Sequence, residues 1–255
     1  MIGIASNRNR IAVEKGKLTV GYLLASFPQK DSFLDVISGC ESAGLDVFEI
    51  GYPSDDPVAD GEIIRQAHGL VDLSVREDIL YWKKIRNTVN KPIWVMAYKK
   101  NLIDSGFYKT LAQEGLADAF VIPDATYEQR LALLYELKPL GVDVLGFINP
   151  DMDRDEQEAC FENFTLVYQQ LYSGPTGLTV ITNDYAELLA RARMHNNLFV
   201  FAGFGINTCE RAEQLIKSGF DGVIVGTAMM SKLNTSQHEL FSFVKELVEA
   251  VKKGR

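Results

Sequence analysis

Eight short apolar runs, rich in β-branched and aromatic residues, recur along the chain: TVGYLL (19–24), DVFEI (46–50), PIWVM (92–96), AFVIP (119–123), DVLGFI (143–148), FTLVY (164–168), LFVFA (198–202) and GVIVG (222–226). They are continuously apolar rather than alternating, as parallel strands are when helices cover one face and a packed interior the other. Between them apolar positions fall at three-to-four spacing. Phe33, Leu34, Ile37 and Cys40 share one face of an early segment, and Ala212, Leu215 and Ile216 share one face of a late one, so amphipathic helices are expected there.

Four helical segments end in Gly shortly followed by Asp and a strand: Gly44-Leu45-Asp46, Gly115-Leu116-Ala117-Asp118, Gly141-Val142-Asp143 and Gly219-Phe220-Asp221. Glycine suits the left-handed position that closes a helix. Strand–helix units repeated eight times over about 250 residues predict an α/β fold, a (β/α)8 TIM barrel. An open doubly wound sheet is the alternative; it would more often use fewer strands and a Gly-rich first turn. No Pro-, Gly- or Ser-rich linker interrupts the pattern, so residues 1–255 are expected to form a single domain, with residues 1–16 an extra N-terminal helix capping the barrel bottom.

Composition narrows the function. A net charge of −8 and no Lys/Arg-rich run oppose nucleic-acid binding. No apolar run reaches the ~18 residues a membrane helix needs, and the N-terminus has no signal-peptide core. The three cysteines, Cys40, Cys160 and Cys209, are scattered and odd in number, which suits reduced thiols in a cytoplasmic protein and no thiolate metal site. His68, His195 and His238 read as solvated helix residues, Met229 and Met230 as helix core, and Trp82 and Trp94 as packing residues. No metal ligand set and no cofactor fingerprint stands out: G-x-G-x-x-G would need a glycine where Thr208 stands.

Candidate chemistry follows from the barrel rule that active sites lie where the strands end. Glu49 breaks the apolar run DVFEI, and Asp60 lies in the acidic loop that follows it, GYPSDDPVADG. A carboxyl in an apolar barrel mouth has a raised pKa, a wetter neighbour stays ionised, and two such acids suffice for acid–base work. Read blandly, Glu49 is a strand-end residue and the loop is solvated. At the other end of the chain, Gly203, Gly205 and Asn207 follow the seventh run, and Gly226 and Thr227 follow the eighth. Glycines after strands 7 and 8, beside helix N-termini, are suited to phosphate.

These residues also carry a resemblance. GLDVFEIGYPSDDPVADG resembles the strand-2 signature of the tryptophan synthase alpha subunit family, commonly ELGVPFSDPLADGP. MAYKKNLIDSG, FVIPDATYEQ and SGPTG are similar to further family segments, and AGFGIN and VGTAMM to its two phosphate-binding turns. The resemblance implies a cofactor-free retro-aldol cleavage of indole-3-glycerol phosphate to indole and glyceraldehyde 3-phosphate. Glu49 would protonate indole carbon 3 and then help draw the proton from the glycerol hydroxyl; Asp60 would bond the indole N–H. Tyr22, Tyr98 and Tyr168 would line the pocket, Thr176 would close over it and help position Asp60, and Gly177 would join Gly203, Gly205, Gly226 and Thr227 in the phosphate cradle.

The partners implied are a phosphorylated small molecule and a tryptophan synthase beta subunit. The chain departs from the family pattern at Phe27, where an acid is usual, at Ser54 and Asp55, and at Glu62, Lys100 and Tyr172. Most departures cluster at the mouth, where a partner would dock. They leave open a same-fold lyase or isomerase acting on another phosphorylated substrate, and a non-catalytic barrel that binds a phosphorylated ligand or a partner protein.

Overall fold

The computed structural model describes residues 3–177 and 185–255. Among them lie nine strands in one sheet: β1 (Leu18–Leu24), β2 (Val47–Gly51), β3 (Ile93–Met96), β4 (Ala119–Val121), β5 (Asp143–Val144), β6 (Gly146–Ile148), β7 (Leu166–Gln170), β8 (Phe199–Gly203) and β9 (Gly222–Val225). All pair in parallel, in the order β5-β4-β3-β2-β1-β9-β8-β7-β6. The twelve α-helices among the described residues are α1 (Asn7–Glu14), α2 (Ser32–Ser42), α3 (Glu62–His68), α4 (Ile79–Thr88), α5 (Lys99–Leu102), α6 (Phe107–Gln113), α7 (Tyr127–Leu137), α8 (Arg154–Asn163), α9 (Tyr185–Ala192), α10 (Cys209–Lys217), α11 (Thr227–Thr235) and α12 (Gln237–Lys253).

The eight expected runs are all strands, but the fifth is split. Its first half pairs with β4 and its second with β7, so the two ends of the sheet are halves of one run, DVLGFI. The change of partner falls at Leu145, whose N–H still donates to the Phe120 carbonyl at 3.0 Å. The sheet is thus a nearly closed barrel with the expected (β/α)8 character.

Gly44, Gly115, Gly141 and Gly219 have φ of +101°, +64°, +74° and +111°, the left-handed conformation that glycine adopts without steric cost. The aspartates that follow have a function the sequence pattern alone did not reveal. Asp46, Asp118 and Asp221 each accept the first free N–H of the neighbouring strand, from Thr19 at 3.0 Å, Ile93 at 2.9 Å and Val200 at 2.8 Å. Each carboxylate therefore satisfies a backbone donor at the barrel bottom that would otherwise be lost.

Asp143 instead accepts from Ala5 and Ser6, drawing in the N-terminal segment. The expected helix over residues 1–16 is shorter, Asn7–Glu14, capped by Ser6; residues 1 and 2 lie outside the described part. Asn9 donates to Asp143 Oδ2 and the Asp118 carbonyl and accepts from Trp94 Nε1 at 2.8 Å, which lays α1 across the bottom of the barrel. Inside, Leu18, Val20, Val47, Trp94, Val121, Phe147 and Phe201 belong to one packed cluster; a larger one fills the layer between sheet and helices. With the lower barrel filled, a site is expected at the upper end of the strands.

Candidate functional site

Strand alternation aims the odd residue of β2 inward. Val47 packs in the barrel interior, while Phe48 and Ile50 face the helices; side chains two apart share a face, so Glu49 stands directly above Val47. The same step places Tyr22 above Val20, Tyr168 above Leu166 and Gly203 above Phe201. These positions bring Tyr22, Glu49 and Tyr168 to the wall of one cavity, together with Asp60, Thr176, Gly177, Gly205, Gly226 and Thr227.

Glu49 is 3% exposed, and its Oε1 has no hydrogen-bond partner among the described residues. Burial, reinforced by the nearby Asp60 charge, pushes its carboxyl up to about 8, so it holds a proton near neutrality. Asp60 is equally buried, at 2% exposed, yet better supplied with partners. The Tyr98 hydroxyl donates to its Oδ2 at 2.7 Å and accepts the Ala59 N–H at 3.0 Å. Burial and the Asp60 charge raise the Tyr98 phenol far above its ordinary range, so it serves as a neutral donor. The two acids thus differ in their partners, Glu49 Oε1 having none and Asp60 Oδ2 accepting from Tyr98, and neither is wet, contrary to the expectation of one wet acid.

Thr176 supports Asp60 through the backbone rather than by direct contact. Its hydroxyl accepts the Gly61 N–H at 2.7 Å, and its own N–H donates to the Ala59 carbonyl at 3.1 Å. A β-carbon on Gly61 would lie 2.0 Å from the Thr176 carbonyl oxygen, so only glycine admits this strap. Gly203 differs from its expected place in the cradle. It does not line the cavity; a β-carbon there would meet the Tyr168 hydroxyl at 2.3 Å, and the residue is glycine to admit that ring.

The other expected cradle residues converge. Phe204 and Gly205 adopt φ of +71° and +70°, turning the chain into the loop before α10, and Gly226 and Thr227 open α11. Gly177, at φ +86°, approaches Thr227 so closely that a β-carbon would sit 3.3 Å from its Cγ2. Glycine-lined backbone beside the N-terminus of a nine-residue helix is a potential anion site. Beside it lies an aromatic cluster: Phe204 lies edge-on to Phe147, Tyr168 and Tyr172, with centroids 6.5, 6.0 and 5.9 Å away.

His68 overturns the expectation of solvated histidines. It is buried at the end of α3, with Nε2 3.6 Å from Asp60 Oδ2. The i,i+4 relation to Ile64, which lines the cavity, was the available signal. His195 is partly buried against Glu158 and His238 is exposed. Burial pushes the Cys40 thiol up to about 12 and the Cys160 thiol to about 11, so neither is a reactive thiolate. Among the described residues there is no group of three His, Cys, Asp or Glu that could hold a metal, and no helix long and apolar enough to cross a membrane.

Comparison with known proteins gives the family. The family model "Tryptophan synthase alpha chain" matches residues 9–254. The tryptophan synthase alpha chain of Chlorobium chlorochromatii is 30% identical over 251 residues, covering 91% of this chain and 93% of that one. That of Caldicellulosiruptor saccharolyticus is 28% identical over 242 residues, covering 93% and 94%. The chain belongs to the tryptophan synthase alpha chain family.

A chain in the structure of Mycobacterium tuberculosis tryptophan synthase superposes with a TM-score of 0.85 at 23% identity, covering 96% of this chain and 98% of that one, which shows the shared fold. Family membership supports tryptophan synthase alpha function, an enzyme of lyase type. The departures from the tryptophan synthase alpha pattern are tied into the mouth. Ser54 Oγ donates to Asn101 Oδ1 at 2.7 Å, Asn101 Nδ2 donates to Asp55 Oδ1 at 3.1 Å, and Arg76 lies 3.3 Å from Asp55. The Tyr172 hydroxyl donates to the Pro175 carbonyl at 3.1 Å, pinning the loop that carries Thr176.

Proposed function

We propose that this chain cleaves indole-3-glycerol phosphate to indole and glyceraldehyde 3-phosphate, with Glu49 and Asp60 as its catalytic pair. The observation that carries the reading is that a proton-holding glutamic acid and a hydrogen-bonded aspartate share one cavity with a glycine-lined helix N-terminus. The phosphate would rest on the backbone of Gly177, Gly205, Gly226 and Thr227, and the indole ring against Phe147, Tyr168 and Phe204. Glu49 delivers its proton to indole carbon 3. The positive indoleninium that results keeps its N–H bonded to Asp60. The carbon–carbon bond then breaks, its electrons return to the ring, and Glu49 recovers a proton from the glycerol hydroxyl that becomes the aldehyde. One proton is given and one regained, and both carboxyls act on charge that develops only during reaction. Stoichiometric appearance of indole and glyceraldehyde 3-phosphate from the purified protein tests the reading; no indole from this substrate defeats it.

One observation favours a second reading within the same fold. The Tyr22 hydroxyl is buried without a partner beside Glu49 and Asp60, and a substrate polar group placed against it would satisfy it. A phosphorylated substrate with a group better placed against it than the glycerol hydroxyls of indole-3-glycerol phosphate would be preferred, and parallel kcat/KM values for the two distinguish the readings. For a protein partner, the reading supported by membership is a tryptophan synthase beta chain docking on the loop of Ser54 and Asp55, where Val58 is 64% exposed. Co-elution with a beta chain tests it.

A further inference from the structure

His68 belongs to no part of the chemistry described above, yet it is aimed at the middle of it. Its ring is enclosed, with a side-chain exposure of 2%. Nδ1 accepts the Ser54 N–H at 2.9 Å. An acceptor nitrogen carries no hydrogen, so this bond assigns the tautomer and leaves the ring N–H on Nε2. That N–H has no hydrogen-bond partner within bonding distance among the described residues, and it stands 3.6 Å from Asp60 Oδ2. The same oxygen already receives the Tyr98 hydroxyl at 2.7 Å. No described residue donates to Asp60 Oδ1.

The two donors therefore converge on one oxygen from different elements, Tyr98 from the end of β3 and His68 from the end of α3. A carboxylate bonded at one oxygen by Tyr98, with a second N–H facing that oxygen from 3.6 Å, is restrained in rotation, and its other oxygen is left for a ligand. Fixing the neighbour of a reacting group in this way is worth the most when the transition state demands one orientation.

We infer that His68 is a positioning residue for Asp60: its Nε2–H, set by the Ser54 bond to Nδ1, faces Oδ2 together with the Tyr98 hydroxyl and leaves Oδ1 for the substrate. The inference rests on the proposed roles of Asp60 and the cavity. The Ser54 backbone N–H, which any residue but proline would supply at this position, sets which ring nitrogen faces the acid.

Two substitutions divide the ring's functions. His68→Asn places an acceptor near Nδ1, so it keeps the bond to Ser54 and loses the donor toward Asp60. His68→Gln places a donor near Nε2 and loses the acceptor. With indole-3-glycerol phosphate, His68→Asn is expected to lower kcat about 10–100-fold with KM little changed, and His68→Gln to restore most of that loss. The reverse order, equal activity in both variants, or a change confined to KM overturns the inference. A readout independent of turnover keeps it separate from the substrate assignment. In 15N spectra of the wild-type protein, whose three histidines are easily assigned, His68 should show a protonated Nε2 and an unprotonated Nδ1, and Asp60→Asn should shift the Nε2–H signal. If wild type releases no indole, the substrate assignment falls and the spectra still decide; a protonated Nδ1, or a signal indifferent to Asp60→Asn, overturns the positioning role.

Discussion

Thr176 accepts the Gly61 N–H on its hydroxyl at 2.7 Å, so the loop after β7 is fastened to the residue that follows Asp60. Gly61→Ala should break this strap, because the new β-carbon would lie 2.0 Å from a backbone oxygen. The expected result is a fall in kcat of about 10–100-fold from displacement of Asp60. Thr176→Val, which removes only the acceptor, should cost about 1–3 kcal/mol in denaturant unfolding and a smaller part of kcat. Unchanged turnover in Gly61→Ala would mean that the strap does not set Asp60.

Tyr98 bridges the Ala59 N–H and Asp60. Tyr98→Phe leaves a backbone donor and a buried carboxylate oxygen without that partner, and should destabilise the protein by about 1–3 kcal/mol. Turnover should fall with it, with KM for substrate less affected. Equilibrium urea unfolding and steady-state kinetics check the two halves separately.

Glu49 makes stability depend on pH in an unusual direction. Its folded carboxyl is raised to about 8 from an ordinary 4.5, so between these values the folded state binds more proton than the unfolded one. Its contribution is fully present below the unfolded pKa and is lost as pH rises through the folded one. Glu49→Gln should therefore gain stability relative to wild type between about pH 5 and 8, by a few kcal/mol at most, and lose this pH dependence. Melting curves of both proteins across that range test it; parallel curves would show that Glu49 titrates normally.

The cradle can be probed without chemistry. Glycerol 3-phosphate at about 100 times its Kd should stabilise the wild type by about 2.7 kcal/mol. Gly226→Asp, whose β-carbon has space at 3.4 Å from its nearest neighbour, places a like charge at the helix start and should abolish that stabilisation while leaving the unliganded melting temperature nearly unchanged. Persistence of the phosphate effect would put the anion elsewhere.

The barrel was legible because its signals are local. Continuous apolar runs and glycine-closed helices mark strand and helix ends wherever they occur, and each expected run is a strand. The split of the fifth run at Leu145 was not visible, because a change of hydrogen-bonding partner leaves no mark on hydropathy. Glu49 was conspicuous as a carboxyl in an apolar strand, and alternation alone turned it inward. The bland alternative, an exposed strand end, does not fit its burial.

His68 reads as a solvated helix residue in the sequence because its significance lies in contacts with Ser54 and Asp60 that only folding creates. Gly203 was assigned to the cradle by proximity to Gly205, whereas the decisive contact is with a ring on the neighbouring strand. Thr176 reached the right neighbourhood by resemblance, but its hydroxyl meets Gly61.

The central claim is that the Glu49 carboxyl supplies and recovers the proton in cleavage of indole-3-glycerol phosphate. Single-turnover indole release by wild type and Glu49→Gln, at saturating substrate and neutral pH, tests it most directly. The account predicts release by the wild type and a loss of about 100–10,000-fold in the variant with substrate still bound; equal rates in the two proteins would contradict it.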